Sequence, residues 1–324
     1  MPGTSRPLRN ILLIKTSSLG DVIHNLPVVS DLRQQFPDIR IDWVVEESFA
    51  AIPRLHPGVC EVIPVALRRW RKRLWSPATW KEIGAARRQL GASRYDAILD
   101  TQGLLKSALI ARQAQGPRLG HNRDSAREPL ASRCYDAAFF VPKTLHAVER
   151  NRRLAAAALG YSLSPELDYG IAPPRQGISG TSAVLLSATS RDDKLWPEMH
   201  WVNLGRALAS RGLTALLPGG NARERERARR LAAQIPGAQA VPAMGLADLA
   251  AMLAHARLVV GVDTGLSHLA VALNTPTVAL YTATDPGLTG VLGQGWHRNL
   301  GGRAQVPSVQ EVLNQLAPLL PPGN

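Results

Sequence analysis

Short β-rich runs alternate with amphipathic helical patterns along this chain, and the alternation begins twice. ILLIK (11–15) leads into a helical pattern from Asp21 to Gln35, followed by IDWVVE (41–46), EVIPV (61–65) and YDAILD (95–100). After a less regular middle it restarts with AVLLSA (183–188), TALLPG (214–219), AQAVP (238–242), LVVGVD (258–263) and TVALY (277–281), with helical patterns over Glu198–Ser210 and Arg223–Gln234. Strands separated by helices make βαβ units, so each half is expected to be a doubly wound α/β domain built on a parallel sheet. Pro, Gly and Ser accumulate over 162–182 and hydrophobic periodicity fades there. The expected organisation is therefore a domain at 1–165, a linker at 166–182 and a domain at 183–324, with a cleft between the domains.

Composition supports two cores rather than disorder, since 45% of the 324 residues are hydrophobic and 19% are charged. The net charge of +13 calls for an anionic partner: nucleic acid, a phosphate-rich ligand or a membrane surface. Much of it sits in ALRRWRKRLWSPATWKEIGAARRQL (66–90), where Arg68, Arg69, Arg71, Lys72, Arg73, Lys81, Arg87 and Arg88 face Glu82 alone. Cys60 and Cys134 lack metal-ligand spacing, which argues against structural zinc or a disulfide framework and for a reducing cytoplasm. MPGTSRPLRN is followed by too few apolar residues before Lys15 for a signal peptide, so no export is expected. Residues 264–284 hold no Lys, Arg, Asp or Glu, but His268, Asn274 and Pro276 read as a helix, a turn and a buried strand rather than a membrane span.

Four polar clusters follow expected strands: KTSSLGD (15–21), TQGLLKS (101–107), SATSRDDKLW (187–196) and VDTGLSH (262–268). Ligands of doubly wound sheets bind beyond the carboxyl ends of the strands, so these turns carry most weight. Asp263-Thr264-Gly265 opens a helix whose first amides suit a phosphate, or it is an ordinary cap. Lys194 is a point charge for a diphosphate or a solvated loop lysine, and His268 is a core, capping or functional histidine. Asp21 suits a helix cap or a general base. The KTSSLGD turn has neither GxGxxG nor GxxxxGK[ST], which counts against dehydrogenases and nucleoside triphosphatases. Arg68–Arg73 with Trp70 and Trp75 suits nucleic acid, a lipid headgroup or plain solvent. HNRDSAREPLASR (121–133), with Arg123, Arg127 and Arg133, is a second candidate anion site.

Taken together, KTSSLGDVIHNLP, DWVVEESFAAIP, RRWRK, DTQGLLKSAL, AREPLAS, HAVERNR, TSRDDKLWPEMHW and VDTGLSHLA resemble the bacterial lipopolysaccharide heptosyltransferases, from about residue 10 to residue 290. RRWRK and AREPLAS favour the transferase that adds the first heptose over the one that adds the second. The resemblance implies a GT-B architecture of two Rossmann-like domains, with the last helix packing back on the first. It implies an inverting enzyme that moves L-glycero-D-manno-heptose from ADP-heptose to a Kdo sugar of Kdo2-lipid A, peripherally at the cytoplasmic face of the inner membrane. No nucleic acid partner, cofactor or obligatory metal is implied, and Asp192-Asp193 is not read as a DxD site.

Carried over by position, Asp21 is the general base, and Lys194 stabilises the leaving diphosphate with Thr189, Ser190, Thr264 and Gly265. Glu224 holds the ribose and Met244 lines the adenine pocket. Asp263 lies near the heptose, His268 near the phosphates, and Leu266 belongs to the same donor turn. Ser17, Ser18 and Gly20 shape the turn around the base, while Arg68, Arg69, Lys72 and Arg127 bind acceptor carboxylates and phosphates. Ser187, Gly219-Gly220 and TATDP (282–286) depart from the family pattern beside the donor pocket.

Overall fold

The computed structural model describes residues 8–171 and 180–321. Two compact units meet in sequence at Gly170–Ile171. Residues 172–179 of the expected linker, and the first seven residues of the amino-terminal stretch, lie outside the described residues.

The first unit is a parallel sheet of β1 (Asn10–Ile14), β2 (Arg40–Glu46), β3 (Glu61–Val65), β4 (Ala97–Asp100), β5 (Arg118–His121) and β6 (Ala137–Phe139), in the order β3-β2-β1-β4-β5-β6. The second repeats this order with β7 (Ser182–Leu186), β8 (Thr214–Leu217), β9 (Gln239–Ala240), β10 (Leu258–Val262), β11 (Thr277–Tyr281) and β12 (His297–Gly301), as β12-β11-β10-β7-β8-β9. All pairings are parallel. Central strands therefore read as unbroken apolar runs: Ile11 to Ile14 and Leu258 to Val262 are buried on both faces. In each unit the strand order reverses at one point, between β1 and β4 and between β7 and β10. The four polar clusters leave the ends of these four strands.

Some local expectations are corrected. The helix expected over Asp21–Gln35 is two helices, Leu19–Ile23 and Leu26–Gln35, broken at His24–Asn25. Pro27 explains the break, since it has no N–H to donate backwards and fits only the first turn of the second helix. The last helix, Val309–Leu316, buries Val312 and Leu316 in the second unit's core with Trp201 and Leu280. The Asn274-Thr275-Pro276 turn forms as expected, with Asn274 at φ 58°. No helix among the described residues is long and apolar enough to cross a membrane.

One buried ion pair ties the end of the first unit to its centre. Arg152 donates to both Asp31 oxygens at 2.8 and 2.7 Å and to the Ser164 and Glu166 carbonyls, and both side chains are 6% exposed. Arg152→Met leaves the Asp31 carboxylate buried and unpaired, so it is expected to cost about 3–5 kcal/mol of first-unit stability in denaturant titration.

Candidate active site

In the first unit the turn after β1 is held from β4. Gln102 Oε1 accepts from the Thr16 amide (2.6 Å), the Thr16 hydroxyl (3.1 Å) and the Ser17 amide (3.2 Å), and its side-chain amide donates to the Ser17 carbonyl. Lys106 donates to the Ser17 hydroxyl at 3.2 Å. Ser18 caps the short helix that follows. Its amide and hydroxyl donate to Asp21 Oδ2 at 2.9 and 3.0 Å, so Asp21 is the third-position partner in the capping motif rather than the cap.

Asp21 also receives a guanidinium fork. Arg127 donates to its two oxygens at 2.6 and 3.3 Å. Burial alone raises the Asp21 carboxyl, but the charges of Lys15 and Arg127 outweigh it and hold the group well below the ordinary carboxylate range. Lys15 directly follows β1 and is itself buried, donating to the Thr101 carbonyl (2.6 Å) and Asn151 Oδ1 (3.1 Å). Burial lowers its ammonium to about 8, with Asp21 acting in the opposite direction. Arg150, lowered by burial and by Arg127, donates to the Ser125 carbonyl. His121 at the end of β5 is pushed down to about 3 by burial and then by Arg150, Lys15 and Arg127, so it is neutral at pH 7. The result is one ionised carboxylate within a ring of cations, suited to a substrate that brings its own negative charge.

Sequence reasoning placed Asp21, Ser17, Ser18, Gly20 and Arg127 here, and the structure brings Asp21, Ser17, Ser18 and Arg127 together. Lys15, Gln102, Arg150 and Asn151 were missed, although KTSSLGD, TQGLLKS and HAVERNR contain them. Arg69 donates to both Glu47 oxygens and to Glu82, each at about 3.0 Å, and Glu82 also accepts from the buried Trp70 indole at 2.7 Å. Arg68 and Lys72 remain exposed, with the Arg68 guanidinium 5.4 Å from the Phe49 ring centre. Arg123 and Arg133 are exposed.

In the second unit Asp263, just past β10, is the organising residue. Lys194 lies 2.7 Å from its Oδ2, the Thr284 hydroxyl donates to the same oxygen at 2.6 Å, and the Thr189 hydroxyl donates to its carbonyl at 3.1 Å. The Thr282 hydroxyl donates to the Asp193 carbonyl at 2.8 Å. Both threonines of the TATDP departure thus brace the loops that carry Lys194 and Asp263, which sequence reasoning missed. The helix Gly265–Ala272 starts directly after Thr264 and lies against β10, where a β-carbon on Gly261 would come 2.3 Å from the Ser267 hydroxyl. His268 is buried on that helix, and Met244 is exposed just before the helix Leu246–His255.

Glu224 closes a capping box, accepting from the Gly220 amide (2.8 Å), the Asn221 amide (3.3 Å) and the Asn221 side chain (2.8 Å). A β-carbon on Gly219 would come 2.6 Å from the Arg225 nitrogen, so only glycine suits this arrangement. Ser187 has a buried hydroxyl without a partner among the described residues. Asp193 pairs with Arg191 and Asp192 with Arg223 at 3.0 Å. No group of three His, Cys, Asp or Glu side chains able to hold a metal occurs among the described residues.

Comparison with known proteins agrees with this geometry. The family model for glycosyltransferase family 9 (heptosyltransferase) matches residues 83–313. Lipopolysaccharide heptosyltransferase 1 of Pseudomonas aeruginosa is 48% identical over 289 residues, covering 88% of this chain and 81% of that protein. Its namesake in Escherichia coli K12 is 48% identical over 293 residues, covering 88% and 91%. The solved structure of E. coli heptosyltransferase WaaC with ADP matches with a TM-score of 0.89 at 44% identity, over 96% of this chain and 99% of that one. The same enzyme with ADP-2-deoxy-2-fluoro heptose matches at 0.86 and 43%, over 95% and 99%. Two parallel sheets of identical order, the polar turns at their reversal points and identity along nearly the whole chain have one reading: the chain belongs to glycosyltransferase family 9, the heptosyltransferases, with the GT-B fold.

Proposed function

We propose that this enzyme transfers L-glycero-D-manno-heptose from ADP-heptose to a Kdo residue of Kdo2-lipid A in lipopolysaccharide inner-core synthesis, inverting the anomeric carbon. The observation that carries the reading is the 48% identity, over 88% of the chain, to lipopolysaccharide heptosyltransferase 1. The solved relatives holding ADP and a fluorinated ADP-heptose support the donor.

In this reading Asp21 takes the proton of the Kdo hydroxyl, whose oxygen attacks the anomeric carbon as the bond to ADP breaks. Lys194, the Thr189 and Ser190 hydroxyls and the Thr264 and Gly265 amides receive the charge that develops on the diphosphate. Glu224 takes the ribose, Met244 the adenine, and Asp263, Leu266 and His268 complete the donor turn. Ser17, Ser18 and Gly20 shape the turn around the base, and Arg68, Lys72 and Arg127 take the acceptor's carboxylates and phosphates. Side chains and helix amides carry the leaving-group charge, so the reaction needs no obligatory metal or cofactor.

A carboxylate held as low as Asp21 is a weak base. An acceptor carboxylate that draws Arg127 away removes part of what holds it down, so the base strengthens when its substrate arrives. The enzyme works peripherally at the cytoplasmic face of the inner membrane, where its acceptor is anchored, and does not act on nucleic acid. Assay with ADP-heptose and either Kdo2-lipid A or its heptosylated product decides the acceptor. Transfer to the first is expected; transfer to the heptosylated product alone assigns the enzyme to the second heptose instead.

A further inference from the structure

The short loop between the helices Leu67–Trp70 and Pro77–Ala92 and the first turn of the second helix form an uncovered apolar tip: in the loop Trp75 is 99% exposed and Leu74 48%, and on the helix Trp80 is 60% exposed. The base of the tip is fixed. The Trp80 indole donates to the Leu74 carbonyl at 2.8 Å, the Ser76 amide donates to the Arg73 carbonyl at 3.0 Å, and Trp70 beneath them is buried in the core. Glu82, the segment's one carboxylate, is taken by Arg69 and Trp70. Arg71, Lys72, Arg73 and Lys81 are exposed around the tip, and none forms an ion pair among the described residues.

An indole in full contact with water, ringed by unpaired cations, is matched by a surface that is apolar within and anionic at its boundary. We propose that Trp75 and Leu74, with Trp80 behind them, insert into the headgroup region of an anionic lipid bilayer while Arg71, Lys72, Arg73 and Lys81 bind its phosphates. This rests on the reading above that the acceptor is membrane-bound, and it names the element that meets the bilayer. A lipid surface fits better than nucleic acid: Leu74 offers no ring on which a base could stack, and Trp75 stands at a loop tip rather than along a groove that tracks a backbone.

The test is co-sedimentation of the full chain with vesicles of phosphatidylethanolamine and phosphatidylglycerol that contain no Kdo lipid, against pure phosphatidylcholine vesicles. Preference for the anionic vesicles is expected. Leu74→Ser/Trp75→Ser weakens binding about tenfold or more, and Arg71→Gln/Arg73→Gln weakens it about 25-fold, at roughly fivefold for each charge near the surface. The emission difference between the wild type and Trp75→Phe shifts to the blue on anionic vesicles. Turnover of a deacylated, soluble Kdo acceptor stays within about twofold in Leu74→Ser/Trp75→Ser, which separates membrane contact from folding and chemistry. Failure of the wild type on that acceptor strikes the proposed reaction and leaves the vesicle result standing. The insertion is overturned by equal vesicle binding of wild type and variants, by absence of preference for anionic lipid, or by tighter binding of a single-stranded oligonucleotide that is lost in the same variants.

Discussion

Asn in place of Asp21 is expected to lower kcat by about 10²- to 10⁴-fold, the usual contribution of a positioned general base, while donor affinity stays within about twofold. The residues proposed for the donor lie on other turns, in the second unit after β7, β8, β9 and β10, so losing this carboxylate is expected to leave them intact. The expected pH behaviour is more specific. Because Lys15 and Arg127 overcome the effect of burial and hold the carboxyl down, Asp21 is ionised across the neutral range in the free enzyme. The profile of kcat/KM then has no acid limb from Asp21 near pH 5. The profile of kcat acquires one at higher pH, because it reports the complex in which the acceptor has drawn Arg127 away. Stability follows the same sign. A depressed folded-state carboxyl contributes stability above the unfolded value of about 3.9, and this contribution is lost as pH falls through the folded value. The stability difference between wild type and Asp21→Asn is therefore present at pH 7 and closes progressively below about pH 4. Near-normal turnover in the variant would remove Asp21 as the base.

How much of this was legible beforehand depended on the kind of signal. The central strands were readable because a strand buried on both faces must be an apolar run, as ILLI and LVVGV are. The peripheral strands β5, β6 and β12 were not, because RLGH, AAF and HRNLG are short or polar, and the last two are partly exposed. Asp21, Lys194 and Asp263 were legible as carboxylate or ammonium groups placed just after strands. Lys15 was hidden by its position, since as the end of the run ILLIK it reads as strand, and only tertiary packing turns its side chain toward Thr101 and Asn151. The partners of Arg69 were equally hidden. In sequence it cannot be told from Arg68, yet it is bound on both edges because Glu47 and Glu82, remote from it in the chain, fold to either side.

Replacing Lys194 by alanine is expected to lower kcat/KM about 10²- to 10³-fold, the loss that follows removal of a preorganised group from a developing anion. Unlike the Asp21 variant, it is expected to weaken ADP-heptose binding and ADP product inhibition as well. The Lys194 and Asp263 side chains are only 18% and 10% exposed, so an anion beside this ammonium would meet less solvent screening than at a surface lysine. Asp263 sets its position: the carboxylate that receives Lys194 at 2.7 Å is fixed in turn by the Thr284 hydroxyl at 2.6 Å. Alanine also leaves Asp263 negatively charged beside the diphosphate, so part of the loss is repulsion. Asp263→Asn in the same background removes that charge and is expected to recover part of the donor affinity without recovering kcat. Lys194→Arg keeps the charge but exchanges a compact ammonium for a wide planar fork, and it is expected to restore binding more than turnover because the fork does not reproduce a point charge. ADP inhibition equal in wild type and Lys194→Ala would show that the ammonium never meets the diphosphate, and would leave the charge of the leaving group to the amides that open the helix at Gly265.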